Sequence, residues 1–125
     1  MVTSTISPGR KFFNTHLETI AAGKVDEMVD RDYTEDAVLI TYFNGFADMP
    51  APITIKGREN IKQFFHKYMK AIGHIDLKSL DFTETEDTIF FQANFNNDLG
   101  SVNAGDAWMM RDGKIAYHFG FWIWA

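Results

Sequence analysis

Asp106 and His118 are the side chains of this sequence best placed to do chemistry. Asp106-Ala107-Trp108-Met109-Met110 reads as one strand, and Lys114-Ile115-Ala116-Tyr117-His118-Phe119-Gly120 as the next. A tight turn at Arg111-Asp112-Gly113 joins them. A carboxylate and an imidazole among large apolar residues are costly to bury without partners. Brought together they make an acid–base pair, with Asp106 as general base and His118 as its orienter or proton shuttle. The same pair would serve, without catalysis, to tie two strands.

Whether the two meet depends on register. A two-residue turn pairs Arg111 with Lys114 and sets Asp106 opposite Phe119. A three-residue loop with Gly113 in the left-handed position pairs Met110 with Lys114, which sets Asp106 opposite His118 and Trp108 opposite Ala116. A slip of one residue moves every side chain to the other face. The bulged register is preferred because it gives the buried carboxylate a partner. It also gathers Tyr117, Phe119, Phe121 and Ile123 on the opposite face. A sheet apolar on both faces needs cover on both, so a second copy of the chain is expected on the outer one.

Other residues are candidates for the walls of a site. Trp108 shares the face of Asp106 and is either pocket wall or core. Trp122 shares parity with His118. Phe64 and other phenylalanines are candidate walls. Tyr33 and Tyr42 are candidate hydrogen-bond donors to a ligand oxygen. His16 lies on an apolar helical stripe, where a histidine bonded to backbone is the commoner outcome and a pocket group the sharper one. Asp36 reads as a turn or cap residue. His66 and His74 read as exposed. No His, Asp or Glu pair has zinc spacing, and no phosphate loop, serine elbow or dinucleotide fingerprint is present.

The elements that must position these residues follow from periodicity. Pro8 to Ala22 reads as a helix capped by Ser7 and ended by Gly23, with Phe12, Phe13, His16, Leu17 and Ile20 on one stripe. Val25 to Arg31 is a short second helix. Tyr33 to Asp36 reads as a polar turn before a strand at Ala37 to Phe43. Asn44-Gly45 signals a turn, and the stretch from Asp48 to Pro52 a loop or edge. Ile53 to Gly57 is a short strand, Arg58 to Ile72 a strongly amphipathic helix capped by Gly73. Strands then follow at Ile75 to Thr83, bulged near Ser79-Leu80, at Thr88 to Asn96, at Ser101 to Met110 and at Lys114 to Trp124.

The 125 residues suggest one domain over 1–125, able to form a core without staples. There is no cysteine, so thiol catalysis is excluded. The net charge of −5 and the lack of a basic cluster argue against nucleic acid. Neither a signal peptide nor a run of ~20 apolar residues is visible, and a soluble, cytoplasmic protein is expected. The 12 phenylalanines fit a Phe-rich core or a pocket with aromatic walls.

Three segments resemble the SnoaL-like family of the nuclear transport factor 2-like superfamily. They are Tyr33-Thr34-Glu35-Asp36-Ala37-Val38-Leu39, Ile55-Lys56-Gly57-Arg58-Glu59-Asn60-Ile61-Lys62-Gln63-Phe64-Phe65, and Arg111-Asp112-Gly113-Lys114-Ile115-Ala116-Tyr117-His118. The resemblance implies an α+β cone, a strongly bent sheet around three helices with a pocket between them. It implies isomerases, dehydratases, epoxide hydrolases and cyclases among its relatives, and also proteins without a reaction. In the cyclases a histidine on the penultimate strand and an aspartate on the last serve the pocket. Aligned through Gly113-Lys114-Ile115, those positions fall on Asp106 and Gly120, so this chain carries its aspartate and histidine at Asp106 and His118 instead. The family's first helix also contributes a polar pocket residue, here His16.

The expectation is therefore a homodimeric, cofactor- and metal-independent protein that performs acid–base chemistry on a small apolar molecule, cyclic or carbonyl-bearing. The competing reading is a non-catalytic binding or dimerisation module. Catalysis calls for Asp106 and His118 in one cavity of at least ~300 Å³; a filled cone with both side chains fully bonded favours the module.

Overall fold

The computed structural model describes residues 6–43 and 52–124. The Asn44-Gly45 turn and most of the proline-bearing stretch after it lie outside these residues, as do the side chains of Ile123 and Trp124. The order is α1 (Pro8–Ala21), α2 (Val25–Asp32), β1 (Tyr33–Thr41), β2 (Ile53–Lys56), α3 (Arg58–Ile72), β3 (Asp76–Glu84), β4 (Thr88–Asn97), β5 (Gly100–Arg111) and β6 (Lys114–Trp124). Ser7 caps α1 through its hydroxyl, which accepts from the Arg10 amide at 3.0 Å. Gly73 ends α3 with φ 72°, a conformation open to glycine at little cost.

The strands form one curled, unclosed sheet in the order β2-β1-β6-β5-β4-β3, antiparallel except for the β1–β6 pair. The helices fill its concave side, giving the expected α+β cone. Alternation sorts the strands as expected: Ile89, Ala93 and Phe95 on β4 and Val102, Ala104 and Trp108 on β5 are buried inward. The convex face carries Phe90, Met109, Tyr117, Phe119 and Phe121, each more than 40% exposed. No helix among the described residues is long and apolar enough to cross a membrane.

Two expectations need correction. Tyr33 to Asp36 belongs to β1 rather than to a preceding turn. It bulges instead: Tyr33 pairs with Ile115, and the ladder resumes only at Val38 opposite Tyr117. Arg58 anchors this irregular stretch by donating to the Tyr33 carbonyl from Nε at 3.2 Å and Nη2 at 2.8 Å. The final hairpin also differs from both registers considered. Arg111 pairs with Lys114 across a two-residue turn whose residues, Asp112 and Gly113, have φ 54° and 77°. The extra residue is Ala116: Met109 pairs with Tyr117 but Met110 with Ile115. The bulge thus sits on β6 rather than in the loop. It restores the parity that the expected bulge would have given, but displaced by two residues, so Asp106 faces Gly120 and Trp108 faces His118.

This turn sets the pairing of Arg111 with Lys114 at the end of the hairpin. Gly113→Ala introduces a Cβ in the left-handed region, and a loss of about 1–2 kcal/mol in urea unfolding is expected. An unchanged midpoint would show that the left-handed turn at Gly113 does not contribute to stability.

Candidate active site

Asp106 on β5 and His118 on β6 meet diagonally on the concave face. His118 Nε2 lies 2.6 Å from Asp106 Oδ1. The close approach depends on Gly120, directly opposite Asp106, where an added Cβ would come 2.8 Å from Oδ1. Asp106 is half-buried and His118 buried. The second Asp106 oxygen has no hydrogen-bond partner among the described residues.

The other ring nitrogen of His118, Nδ1, is 2.8 Å from the Tyr33 hydroxyl. Tyr33 is fully buried, and burial drives its phenol well above its ordinary range, with Asp106 and Asp32 adding to the effect. The phenol therefore keeps its proton and donates it to Nδ1. The tautomer that satisfies both contacts carries its hydrogen on Nε2 and donates it to Asp106. Tyr33, expected to reach a ligand, thus spends its hydroxyl on His118.

A second carboxylate–imidazole pair reaches the same space through its histidine. His16 Nδ1 on α1 is 2.9 Å from Asp32 Oδ2 at the end of α2. Arg31 grips Asp32 with Nε at 2.7 Å and Nη2 at 2.9 Å. Burial pushes the Asp32 carboxyl up, but the hydrogen bonds from Arg31 and His16 outweigh it and hold the group below the usual range. Burial lowers the His16 imidazole, against the pull of Asp32. His16 is therefore bonded to a carboxylate, not to backbone. Asp32 was not foreseen, although a signal was present: Val25, Met28, Val29 and Asp32 form one buried stripe.

Between the two pairs stands Trp108, fully buried, its ring centroid 4.5 Å from that of His16 and 5.8 Å from that of His118. Its Nε1 has no hydrogen-bond partner. His16, Trp108, Asp106 and His118 border a cavity of about 100 Å³. Phe13 and Ile20 of α1, Phe64, Phe65 and Tyr68 of α3, Leu39 and Thr41 of β1, and Phe91, Phe95 and Trp122 of the sheet complete its wall. Phe64, Trp108, Trp122 and His16 thus lie where the site was expected. Tyr42 does not: it follows the end of β1 and is 58% exposed. Tyr68 supplies the cavity's tyrosine instead. Burial raises its phenol far above the usual range, and it shares a hydrogen bond with Trp122. The volume falls short of the ~300 Å³ expected for a drug-sized ligand.

The remaining titratable candidates are peripheral. Asp36 is exposed and bonded to Thr34 and Arg111. His66 and His74 are exposed and paired with Asp26 and Asp98. Among the described residues no group of three or more His, Asp or Glu side chains is placed to hold a metal ion.

The family model for the SnoaL-like domain matches residues 13–118. A comparison with curated protein sequences gives no match. Among solved structures, a nuclear transport factor 2-like protein from Anabaena variabilis shares 21% identity at a TM-score of 0.72, over 100% of this chain and 96% of its own. A Bacillus subtilis protein, provisionally named an isomerase, shares 16% at 0.69, over 94% and 90%. TerC, co-crystallised with polyporic acid, shares 18% at 0.73, over 95% and 92%. At these identities the structures establish the fold.

The second pair couples folding to pH. His16 and Asp32 both bind protons more weakly in the folded chain than at their ordinary values of 6.5 and 3.8. The unfolded chain therefore takes up more protons, and stability falls as pH drops below about 6.5 and again below about 3.8. His16→Phe is expected to flatten the upper limb in urea unfolding between pH 8 and 5. An upper limb as steep as that of the wild type would rule out His16 as its source.

Proposed function

The chain belongs to the SnoaL-like domain family, and from that premise we propose a cofactor-independent enzyme of isomerase, cyclase or lyase type. It acts in the cytoplasm, as a single domain, on a small apolar molecule that is cyclic or carbonyl-bearing. The observation that carries this reading is the Asp106 carboxylate, with one oxygen held by His118 and the other unbonded beside an apolar cavity. A carboxylate so fixed is poised to take a proton from carbon next to a carbonyl. His118 is its partner: the N–H on Nε2 orients the carboxylate, and Tyr33 fixes the tautomer. The oxygen that gains charge as the proton leaves needs a donor, and Tyr68 and Thr41, both hydroxyl-bearing, are among the residues that line the cavity. Trp108, Phe64 and Trp122 serve as walls, and His16 faces the ligand from α1. The relative provisionally named an isomerase and the one crystallised with polyporic acid fit a small-molecule role.

One observation favours the second reading, a binding or dimerisation module in which both pairs are structural. The cavity of about 100 Å³ has room only for a small ligand. The readings separate in D₂O. Wild-type protein incubated with a panel of small cyclic ketones is expected to introduce deuterium beside the carbonyl, read by proton NMR. Asp106→Asn is expected to slow exchange by about 10²–10⁴-fold, with little change in thermal midpoint. A panel without exchange, together with a large loss of stability in Asp106→Asn, selects the module.

The convex face supports a homodimer. Phe90, Met109, Tyr117, Phe119 and Phe121 form an exposed apolar sheet face. A second copy of the chain, burying the same patch on itself, is its proposed cover. Sedimentation at micromolar concentration is expected to give a dimer, and Phe119→Asp a monomer that keeps the wild-type circular dichroism. A monomeric wild type would leave the face without its proposed partner.

A further inference from the structure

The two acid–base pairs differ in one respect. His118 has both ring nitrogens occupied, whereas His16 has only one. Nδ1 of His16 is bonded to Asp32, and Nε2 has no hydrogen-bond partner among the described residues. The ring is 5% exposed, borders the cavity, and is held in place by Trp108 and by the Asp32–Arg31 pair. The carboxylate of Asp32 can only accept, so the His16 hydrogen sits on Nδ1. What remains on Nε2 is a lone pair. Nε2 keeps some accessible surface, so a ligand that brings a donor can bond it.

We propose that His16 Nε2 is the acceptor for a hydroxyl group of the ligand, so that the site takes a hydroxylated ring compound rather than a purely carbonyl or hydrocarbon one. This rests on the reading of the cavity as a ligand site and names the chemistry of its occupant. Two geometric facts carry it. The open polar atoms of the two pairs, His16 Nε2 and the second Asp106 oxygen, both accept. Both residues also line the same cavity beside Trp108, whose ring lies 4.5 Å from that of His16 and 5.8 Å from that of His118. A ketone oxygen satisfies neither of these two acceptors and can bond only donors such as the unpaired Trp108 N–H, whereas a hydroxyl brings the donor that His16 Nε2 lacks. A hydroxyl on a ring that also carries a carbonyl satisfies His16 and leaves the C–H beside that carbonyl for Asp106. The neutral hydroxyl is favoured over an ammonium donor because the surrounding wall is aromatic and would strip a cation of its water. The groups facing His16 are consistent with the neutral form. Asp32 and Arg31 lie on α2, Tyr33 on β1, Asp106 on β5 and His118 on β6, and burial lowers the imidazole among them. Asp32 acts through His16 and is a positioning residue.

The test uses cyclohexanol, cyclohexanone and cyclohexylamine as probes with ¹⁵N-labelled full-length protein. Cyclohexanol is expected to bind about three- to tenfold more tightly than cyclohexanone, the span of a neutral hydrogen bond. It is also expected to shift the imidazole ¹⁵N resonance of His16 Nε2, which cyclohexanone leaves in place. His16→Phe keeps a ring beside Trp108 and should abolish the preference by weakening the alcohol alone. In Asp106→Asn the preference should persist, so a failure of the proton-abstraction role is distinguishable from a failure of this one. Equal affinity for alcohol and ketone, tighter binding of the amine, or a His16 Nε2 resonance that ignores cyclohexanol would each overturn the proposal. The wild-type comparison stands even if His16→Phe does not fold.

Discussion

A carboxylate inside an aromatic cone persists only where its charge is answered, and this constraint organises the concave side of the sheet. Two aspartates face it. Asp32 is answered by a guanidinium and an imidazole, Asp106 by an imidazole that a buried phenol orients in turn. In a medium that screens poorly, removing one partner leaves a charge that the rest cannot solvate. The four elements contributing these groups, α1, α2, β1 and the β5–β6 hairpin, are therefore tied together by polar contacts as well as by packing. Arg58 extends the tie to α3 through the Tyr33 carbonyl.

The shared face of Asp106 and His118 was legible from the need to pair a buried carboxylate and not from the turn, which is the two-residue one whose parity only the extra Ala116 reverses. An even displacement in either direction leaves the same side chains facing inward. The register itself was not legible. The Asp112-Gly113 pair supports a two-residue turn and a bulged loop alike, and no residue type marks Ala116 as the extra one. The packing that settles it is long-range: β6 pairs with β5 and, in parallel, with β1, and the β1 ladder breaks over the same stretch. A bulge in each strand lets the two ladders coexist. The element order and most boundaries were legible because the helical stripes and strand alternation are local signals. Asp32 escaped notice because its type reads as helix-end surface, while its position on the buried stripe of α2 says otherwise. Tyr33 was placed in a turn because Thr34-Glu35-Asp36 is polar. Those three residues and Ala37 make the bulge, and the tyrosine before them is buried.

The phenylalanine-rich composition turns out to serve two surfaces at once. Inside, Phe13, Phe64, Phe65, Phe91 and Phe95 both pack the cone and line its cavity, so core and pocket wall are the same residues. Outside, Phe90, Phe119 and Phe121 stand on the convex face in alternation with the inner set. A strand apolar at every position carries no polar–apolar alternation by which to tell the two apart. Asp106, His118 and Gly120 interrupt the run on one side only, and so mark which face is which.

Gly120 shows how closely the site and the fold are bound. In an ordinary sheet pair the residue opposite Asp106 would place its Cβ against the carboxylate, 2.8 Å from Oδ1. The only side chain that leaves the carboxylate room to lean toward His118, two residues back along the strand, is none at all. An aspartate at Gly120, as the family's cyclases carry at the aligned position, would set two carboxylates face to face, and both could not remain charged at that separation. The glycine and the aspartate at position 106 are thus a coupled choice. Once the carboxylate moves to β5, the facing position on β6 must be vacated and the imidazole must come from His118, the nearest position on β6 of the same parity toward the turn. The arrangement follows from sheet geometry, and it leaves one carboxylate oxygen free beside the cavity.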